Sequence, residues 1–165
     1  MLSLKPLHRD AIESALAKAE RYRLLNEPAE AESICLDVLA TDPGHQQAII
    51  TLLLALTDQF PEDRRAYQRA QEALGRITGG YERAYYGGMV DERRAKAHVG
   101  LHGGTLIGVY DWIQDAMKSY ERAEALRPAG NDDALLRWNA CVRFLQKHPQ
   151  LRPSSEERTE IELLE

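Results

Sequence analysis

Apolar residues recur every three or four positions along most of this chain, which is the spacing of amphipathic helices. Proline and glycine turns such as Asp42-Pro43-Gly44 and Pro128-Ala129-Gly130-Asn131 separate the apolar segments. Because β-branched residues are also scarce, we predict an all-α fold. The segments predicted to be helical are 10–25, 28–41, 45–60, 60–77, 81–98, 105–126 and 131–148.

The third segment differs from the others in its polarity. Its sequence, HQQAIITLLLALTDQF (45–60), leaves no continuous polar face around a helix. A helix that is apolar nearly all round belongs in a protein core. We therefore expect this helix to be the most buried element.

A weak internal repeat runs through the helical pattern. In the second, fourth and sixth segments, a small residue is followed by a second core position four residues later. A third core position comes three residues after that. Pro43 lies twelve residues after the first of these small residues, and Pro128 lies twelve after the last. Helix-turn-helix units with this spacing bury their faces only by stacking on one another. The repeated positions are Ala31-Cys35-Val38, Ala66-Ala70-Ala73 and Ala116-Tyr120-Ala123.

On these residues the chain resembles the tetratricopeptide repeat (TPR) family. The segments that carry the resemblance are 18–43 and 115–145, in which Ala19 and Tyr22 take the small and aromatic places of a leading helix. The resemblance implies a right-handed superhelix of antiparallel helix pairs, with three pairs and a C-terminal capping helix. It assigns residues 1–153 to one helical repeat domain and leaves 154–165 as an acidic C-terminal tail.

The third repeat departs from this spacing. Ala31 and Ala66 are 35 residues apart (66 − 31), whereas Ala66 and Ala116 are 50 apart (116 − 66). The excess of 15 residues (50 − 35) predicts a longer fifth helix and a longer loop after it. Within that helix, Gly88 falls on the small position of the repeat, and we expect it to face the helix of 105–126.

The resemblance also implies a function, which is to bind a protein or peptide without enzymatic activity or a cofactor. In TPR proteins the concave wall is formed mainly by the leading helix of each pair. Exposed Tyr, Met and Arg are enriched at protein interfaces, which fits this expectation. Carried over to this sequence, the wall consists of Leu16, Glu20, Arg23, Gln47, Ile50, Leu54, Glu82, Tyr85, Met89, Glu92, Arg93, Leu135 and Asn139.

Two other functions remain open at this stage. One is homodimerisation through the apolar helix at 48–56 or through Leu163 and Leu164 in the tail. The other is a metal-dependent enzyme built on the cluster at 91–102, where His98 and His102 are four residues apart and could share a zinc ion. Val99 stands where the zinc metalloprotease helix has glutamate, which favours the plainer interpretation of His98 as a helix-end residue.

The charged residues of the same cluster have a plainer interpretation as well. Glu92 and Lys96 are four residues apart, and Asp91 and Arg94 are three apart. Pairs at these spacings lie on one side of a helix, so they can form ion pairs along a solvated face.

Composition narrows the range of partners and locations. The chain has 165 residues and a net charge of −5, with 21 basic residues interspersed among 26 acidic ones, so a nucleic-acid partner is not expected. The longest apolar stretch, at 48–56, is about half the length that a membrane span needs. With no apolar signal-peptide region near residue 1, we expect a cytoplasmic protein without a membrane partner. Cys35 and Cys141 lie on apolar sides of helices and are expected to fill the core.

Overall fold

The computed structural model describes residues 1–100 and 106–153, and within them it contains helices and turns but no strand. The all-α prediction is therefore confirmed for this part of the chain. Two short 3-10 helices, Arg9–Ala11 and Pro149–Leu151, flank the main elements. The α-helices are α1 (Ile12–Leu24), α2 (Pro28–Thr41), α3 (Gln46–Asp58), α4 (Ala66–Gly75), α5 (Gly80–Gly100), α6 (Val109–Leu126) and α7 (Asp133–Lys147).

Helices that follow one another in sequence pack against one another in space. Contacts join α1 to α2, α2 to α3, α3 to α4, α5 to α6 and α6 to α7, and the α5–α6 contact is the most extensive in the described chain. The odd-numbered helices also touch, α1 against α3 and α3 against α5. Short connections and sequential contacts of this kind are typical of antiparallel helix pairs.

The first core lies among α1 to α4. Helix α3 has nine of its 13 residues buried, which confirms that it is the most buried element. Among them, Leu53 and Ala55 have no exposed surface. Since α2 and α4 cover α3 on two sides, the apolar helix at 48–56 does not offer its core residues to a second copy of the chain.

A second core lies among α5, α6 and α7. Its centre includes Ile113, Ala116 and Tyr120, all without exposed surface. Leu54 of α3 and Tyr86 of α5 are partly buried and pack against both cores. These two side chains therefore join the two halves of the domain.

Helix α5 is long, as the insertion predicted, and at Gly88 its backbone lies directly against a side chain of α6. It spans 21 residues. A Cβ atom on Gly88 would lie 2.7 Å from Cε1 of Tyr120 in α6. The prediction that Gly88 faces this helix is confirmed, and a ring occupies the space that a side chain would need.

The structure differs from the predicted helix limits at α4 and near α6. Helix α4 begins at Ala66, because residues 59–65 form turns in which the Gln59 carbonyl accepts from the amides of Glu62 and Asp63. Helix α6 begins at Val109 after Gly108, whose φ of 82° is in the left-handed region that favours glycine. The segments 101–105 and 154–165, including the predicted start of this helix and the acidic tail, lie outside the described residues.

The two cysteines are core residues, as predicted. Both are free and buried, Cys35 in the first core and Cys141 in the second. Burial raises the pKa of each thiol to about 12, so neither is a reactive thiolate at neutral pH. Among the described helices, none is both long enough and apolar enough to span a membrane.

Adjacent glycines in α5 give a matched test of this packing. We expect Gly88→Ala to lower the free energy of unfolding by about 1–3 kcal/mol, since the buried Tyr120 ring has to move. Gly87→Ala is the control: its Cβ would lie 3.7 Å from Leu74, an ordinary contact, and should stabilise the helix by up to about 1 kcal/mol. Urea denaturation measures both, and equal stabilities would contradict the placement of Gly88.

Candidate partner-binding face

Polar side chains link the odd-numbered helices in the order α1, α3, α5 and α7. We call the surface that these four helices share the odd-helix face. Between α1 and α3, Arg23 Nε donates to Asp58 Oδ2 at 2.8 Å. Thr51 Oγ1 of α3 donates to Glu20 Oε1 of α1 at 3.1 Å. In each of these two hydrogen bonds, a side chain of α1 contacts a side chain of α3.

Helix α5 continues this row. Arg93 Nη1 donates to Thr57 Oγ1 at 2.8 Å and also to Asp58 Oδ1. The Asp58 carboxylate is therefore shared by two guanidinium groups from two different helices. We call the row Arg23–Asp58–Arg93 the charge ladder. Its side chains are only 15%, 24% and 27% exposed, so packing and ion pairing hold them in place.

A shallow pocket opens beside the charge ladder. Its volume is about 410 Å³, which is in the range of sites that accept a few side chains of a ligand. One wall comes from the end of α3 and the turn after it, and the other comes from the C-terminal half of α5. The pocket is lined by Thr57, Asp58, Pro61, Arg93, Lys96 and Ala97.

Four residues predicted to line the partner-binding wall are buried instead. Leu16, Ile50 and Met89 are at most 8% exposed and belong to the two cores. Glu92 has no exposed surface at all. Because the odd helices touch, side chains at these positions fill the space between them and are not available to a partner in this conformation.

The other predicted positions reach the surface in full or in part. Gln47 is exposed, whereas the remaining eight are intermediate between buried and exposed. Tyr85 is fixed by its neighbours, stacked on Tyr81 and tilted against Tyr120. The eight intermediate residues are Glu20, Arg23, Leu54, Glu82, Tyr85, Arg93, Leu135 and Asn139.

Glu92 is the centre of a polar network inside the second core. Its carboxylate accepts from Tyr120 Oη at 2.6 Å and from Lys96 Nζ at 2.5 Å. Arg137 Nη2 of α7 lies 3.1 Å from Oε2, the same oxygen that accepts from Tyr120. The Glu92–Lys96 pair predicted from their spacing is thus present, but it is anchored in the interior and not on a solvated face.

This network holds α5, α6 and α7 together. Burial, and then the neighbouring Glu92 charge, raise the pKa of the Tyr120 hydroxyl, so it stays protonated and donates to the carboxylate. Two cations and one hydroxyl satisfy the carboxylate, which is the condition for a stable buried charge. The Nε of Arg137 is buried without a hydrogen-bond partner in the described chain, so this guanidinium is not fully satisfied.

Arg94 does not form the expected ion pair with Asp91. Its guanidinium lies over two aromatic rings, 4.2 Å from the centre of Tyr67 in α4 and 3.9 Å from Trp112 in α6. Cation–π contacts of this kind connect α4 and α6 across α5. His98, in the last turn of α5, meets Trp112 edge to face.

Asp91 is left as a half-buried carboxylate with no hydrogen bond or ion pair to any residue of 1–100 and 106–153. Burial, and then the charge of Asp115, raise its pKa to about 6, and Arg94 and Arg122 offset only part of this effect. Asp91 therefore differs from Glu92, whose carboxylate accepts hydrogen bonds from Tyr120 and Lys96.

The proposed metal cluster is not assembled in the part of the chain that the structure describes. There, no three His, Cys, Asp or Glu side chains are grouped so that they could hold a metal ion. The oxygens of Glu92 are occupied by Tyr120, Lys96 and Arg137. His102 lies outside the described residues.

Comparison of the chain with models of known protein families, with curated proteins and with solved structures found no match in any of the three. The resemblance to TPR proteins consequently rests on the residue spacing described above.

Asp58 and Arg137 were missed at the sequence level. The predicted wall positions of α3 include 47, 50 and 54, and one further step of four residues reaches Asp58. The helical spacing of the wall positions could therefore have identified Asp58. Arg137 gave no comparable signal, because its role depends on Glu92, a residue of another helix.

The role of the buried Glu92 network can be tested by comparing it with the more exposed hydrogen bond between Thr51 and Glu20. Glu92→Gln removes the charge that holds two cations, and we expect it to lower the free energy of unfolding by about 2–4 kcal/mol. Glu20 also accepts from a hydroxyl, but its side chain is 46% exposed, so Glu20→Gln should cost at most about 1 kcal/mol. Denaturant unfolding of both variants checks this, and equal losses would contradict a buried, structural role for Glu92.

Asp91 should make stability depend on pH. The folded chain binds this proton more tightly than the unfolded chain, whose pKa is near 3.8, so ionisation of Asp91 lowers stability as the pH rises from about 4 to 6. At pH 8, Asp91→Asn should raise the free energy of unfolding above that of the parent chain by roughly 1 kcal/mol after allowance for solvent screening, measured as a higher unfolding temperature. At pH 3 the difference should vanish. Asp111→Asn makes the same substitution at an exposed position of α6 and serves as the control.

Proposed function

We propose that this chain is a TPR-like helical repeat protein that binds a protein or peptide on its odd-helix face, without enzymatic activity. The packing of consecutive helices as antiparallel neighbours supports the repeat architecture. The polar links from α1 to α3, α3 to α5 and α5 to α7 support it further, because the leading helices of a repeat array lie side by side.

The observation that carries the proposal is the charge ladder beside its pocket. Arg23, Asp58 and Arg93 are partly exposed, yet each is already held by ion pairs. A partner that binds such side chains loses little conformational entropy on ordering them. Fixed arginines next to a concave surface are also typical of residues that contribute most to protein binding.

The surroundings of the ladder favour a polypeptide over a small molecule. The pocket is shallow, and it opens on the odd-helix face, where the polar links form a row from α1 to α7. A ligand that follows this row has to be extended, and both an amphipathic helix and an extended peptide meet that requirement.

Site-specific photo-crosslinking tests this function. A photoreactive residue at Gln47 or Arg93 should crosslink a partner protein, since both positions lie on the odd-helix face. The same residue at Arg21, which is exposed on another side of α1, is the control. Mass spectrometry of the crosslinked product then identifies the partner.

Binding of the purified partner completes the test. We expect Arg93→Glu to weaken its Kd by tenfold or more, since the substitution reverses the charge beside the pocket and disrupts the ladder. Arg21→Glu makes the same charge change at an exposed site away from this face and should leave the Kd within about twofold. Crosslinks confined to Arg21, or equal losses for both variants, would show that another surface binds the partner.

A further inference from the structure

The C-terminal parts of α5 and α7 lie side by side and carry basic residues without acidic ones. Lys96 Nζ of α5 is 5.5 Å from the centre of the Phe144 ring of α7, and the ring centres of Phe144 and His148 are 4.6 Å apart. Residues 93–100 and 137–153 contain no aspartate or glutamate. Arg94 is held over aromatic rings, and we call the other basic residues of these segments the basic end: Arg93, Lys96, Arg137, Arg143, Lys147 and Arg152.

Carboxylates from outside these segments balance only part of this charge. Asp58 and Glu92 reach the basic end, and each of them is shared by two cations. Asp63, in the turn across the shallow pocket, is already paired with Arg69. The exposed cations at the end of α7 form no ion pair with any residue of 1–100 and 106–153, and they are Arg143, Lys147 and Arg152. The basic end therefore has positive charge that the described chain does not use.

The shallow pocket beside the charge ladder adjoins the basic end. Arg93 and Lys96 line the pocket, and their side chains are 27% and 37% exposed. Pro61 and Ala97 add apolar surface to the same pocket. A segment that presents carboxylates together with aliphatic side chains would be complementary to this surface.

Residues 154–165, with the sequence SSEERTEIELLE, have both of these properties. Their five glutamates and one arginine give a net charge of −4 (1 − 5), which leaves only −1 for the rest of the chain (−5 + 4). The aliphatic residues Ile161, Leu163 and Leu164 are interspersed among the glutamates. Most of the net charge of the protein thus comes from one short segment, which follows directly after a segment without any acidic residue.

The described chain leads to the basic end immediately before this segment. Leu151 is buried in the second core, and its N–H donates to the carbonyl of His148 at 3.1 Å. Residues 148–151 are therefore held close to Phe144, the ring that lies beside Lys96. The 12 residues after Pro153 (165 − 153) can extend over at most about 40 Å, which is long enough to pass Lys96 and enter the pocket.

We propose that residues 154–165 bind back on their own domain, with glutamates against the basic end and aliphatic side chains in the pocket beside the charge ladder. A segment joined directly to its binding surface is present there at a high effective concentration, so weak ion pairs suffice to hold it. This intramolecular binding requires no partner. Only its consequence, that the tail competes with a partner for the odd-helix face, rests on the proposed function.

A spin label on the tail of the full chain tests this inference. The label is a nitroxide on Thr159→Cys, and because Cys35 and Cys141 are buried it attaches to the new thiol. We expect it to broaden the amide NMR signals of Lys96 and Ala97 and to leave the signal of Arg21, in α1, unchanged. Raising the NaCl concentration to about 0.5 M should reduce the broadening, since salt screens exposed charges.

Two triple variants of the labelled chain make the test specific for the tail charges. Glu156→Gln, Glu157→Gln and Glu160→Gln together should reduce the broadening of Lys96 and Ala97 at least threefold. The control changes the net charge equally at exposed positions of the domain and should leave the broadening as it is; it combines Glu13→Gln, Glu27→Gln and Glu30→Gln. Equal broadening in both triple variants would overturn the proposal, as would broadening confined to residues 147–153.

A mixed sample separates binding within one chain from binding between two copies. An isotope-labelled chain without the nitroxide is combined with an equal amount of the nitroxide-bearing chain at natural isotope abundance. We expect no broadening of Lys96 and Ala97 in this sample, because each tail occupies its own domain. Broadening as strong as in the singly prepared chain would show that the tail binds a second copy and would overturn the proposal. No partner enters any of these measurements, so their outcome is independent of the crosslinking test.

Discussion

The approach of the Tyr120 ring to the backbone of α5 is the contact on which the second half of the domain depends. Gly88 leaves room for the ring, and the position of the ring brings its hydroxyl to the buried carboxylate of Glu92. That carboxylate in turn holds Arg137 of α7. A side chain at one position of α5 would therefore disturb the placement of two further helices.

The two halves of the domain are stabilised by different kinds of interaction. Helices α1 to α4 enclose mainly aliphatic side chains around α3, and the polar side chains buried with them, Thr51 and Thr57, are uncharged. Helices α5 to α7 enclose a charge, which specifies one arrangement because few other packings would satisfy it. Helix α5 lines two cavities, since Arg93 of the charge ladder borders the shallow pocket and Asp91 borders a separate cleft next to Leu74 of α4 and Leu126 of α6.

Local features of the sequence predicted the helices and one close contact correctly. Spacing of apolar residues and proline turns located all seven helices, and the repeat placed Gly88 against α6. Burial of Glu92 was not predictable in the same way, because a glutamate four residues before a lysine is typical of a solvated face. Its partners Tyr120 and Arg137 come from other helices, so only the tertiary structure reveals that the carboxylate is satisfied inside the protein.

The exposure of the predicted wall residues could not be inferred from the sequence for a related reason. Helical spacing tells which side of a helix a residue occupies, but not how closely the next helix approaches that side. Ile50 and Met89 lie on the expected side and are nevertheless covered by neighbouring helices. Arg93 and Gln47 lie farther from the line of contact and keep part of their surface in solvent.

The two buried cysteines allow opening of each half of the domain to be measured separately. Each core contains one free, buried thiol, and each thiol is protonated and shielded while its core is closed. Modification of Cys35 consequently reports on opening among α1 to α4, and modification of Cys141 reports on opening among α5 to α7. The chain therefore carries two internal probes that distinguish separate opening of the halves from unfolding of the whole domain.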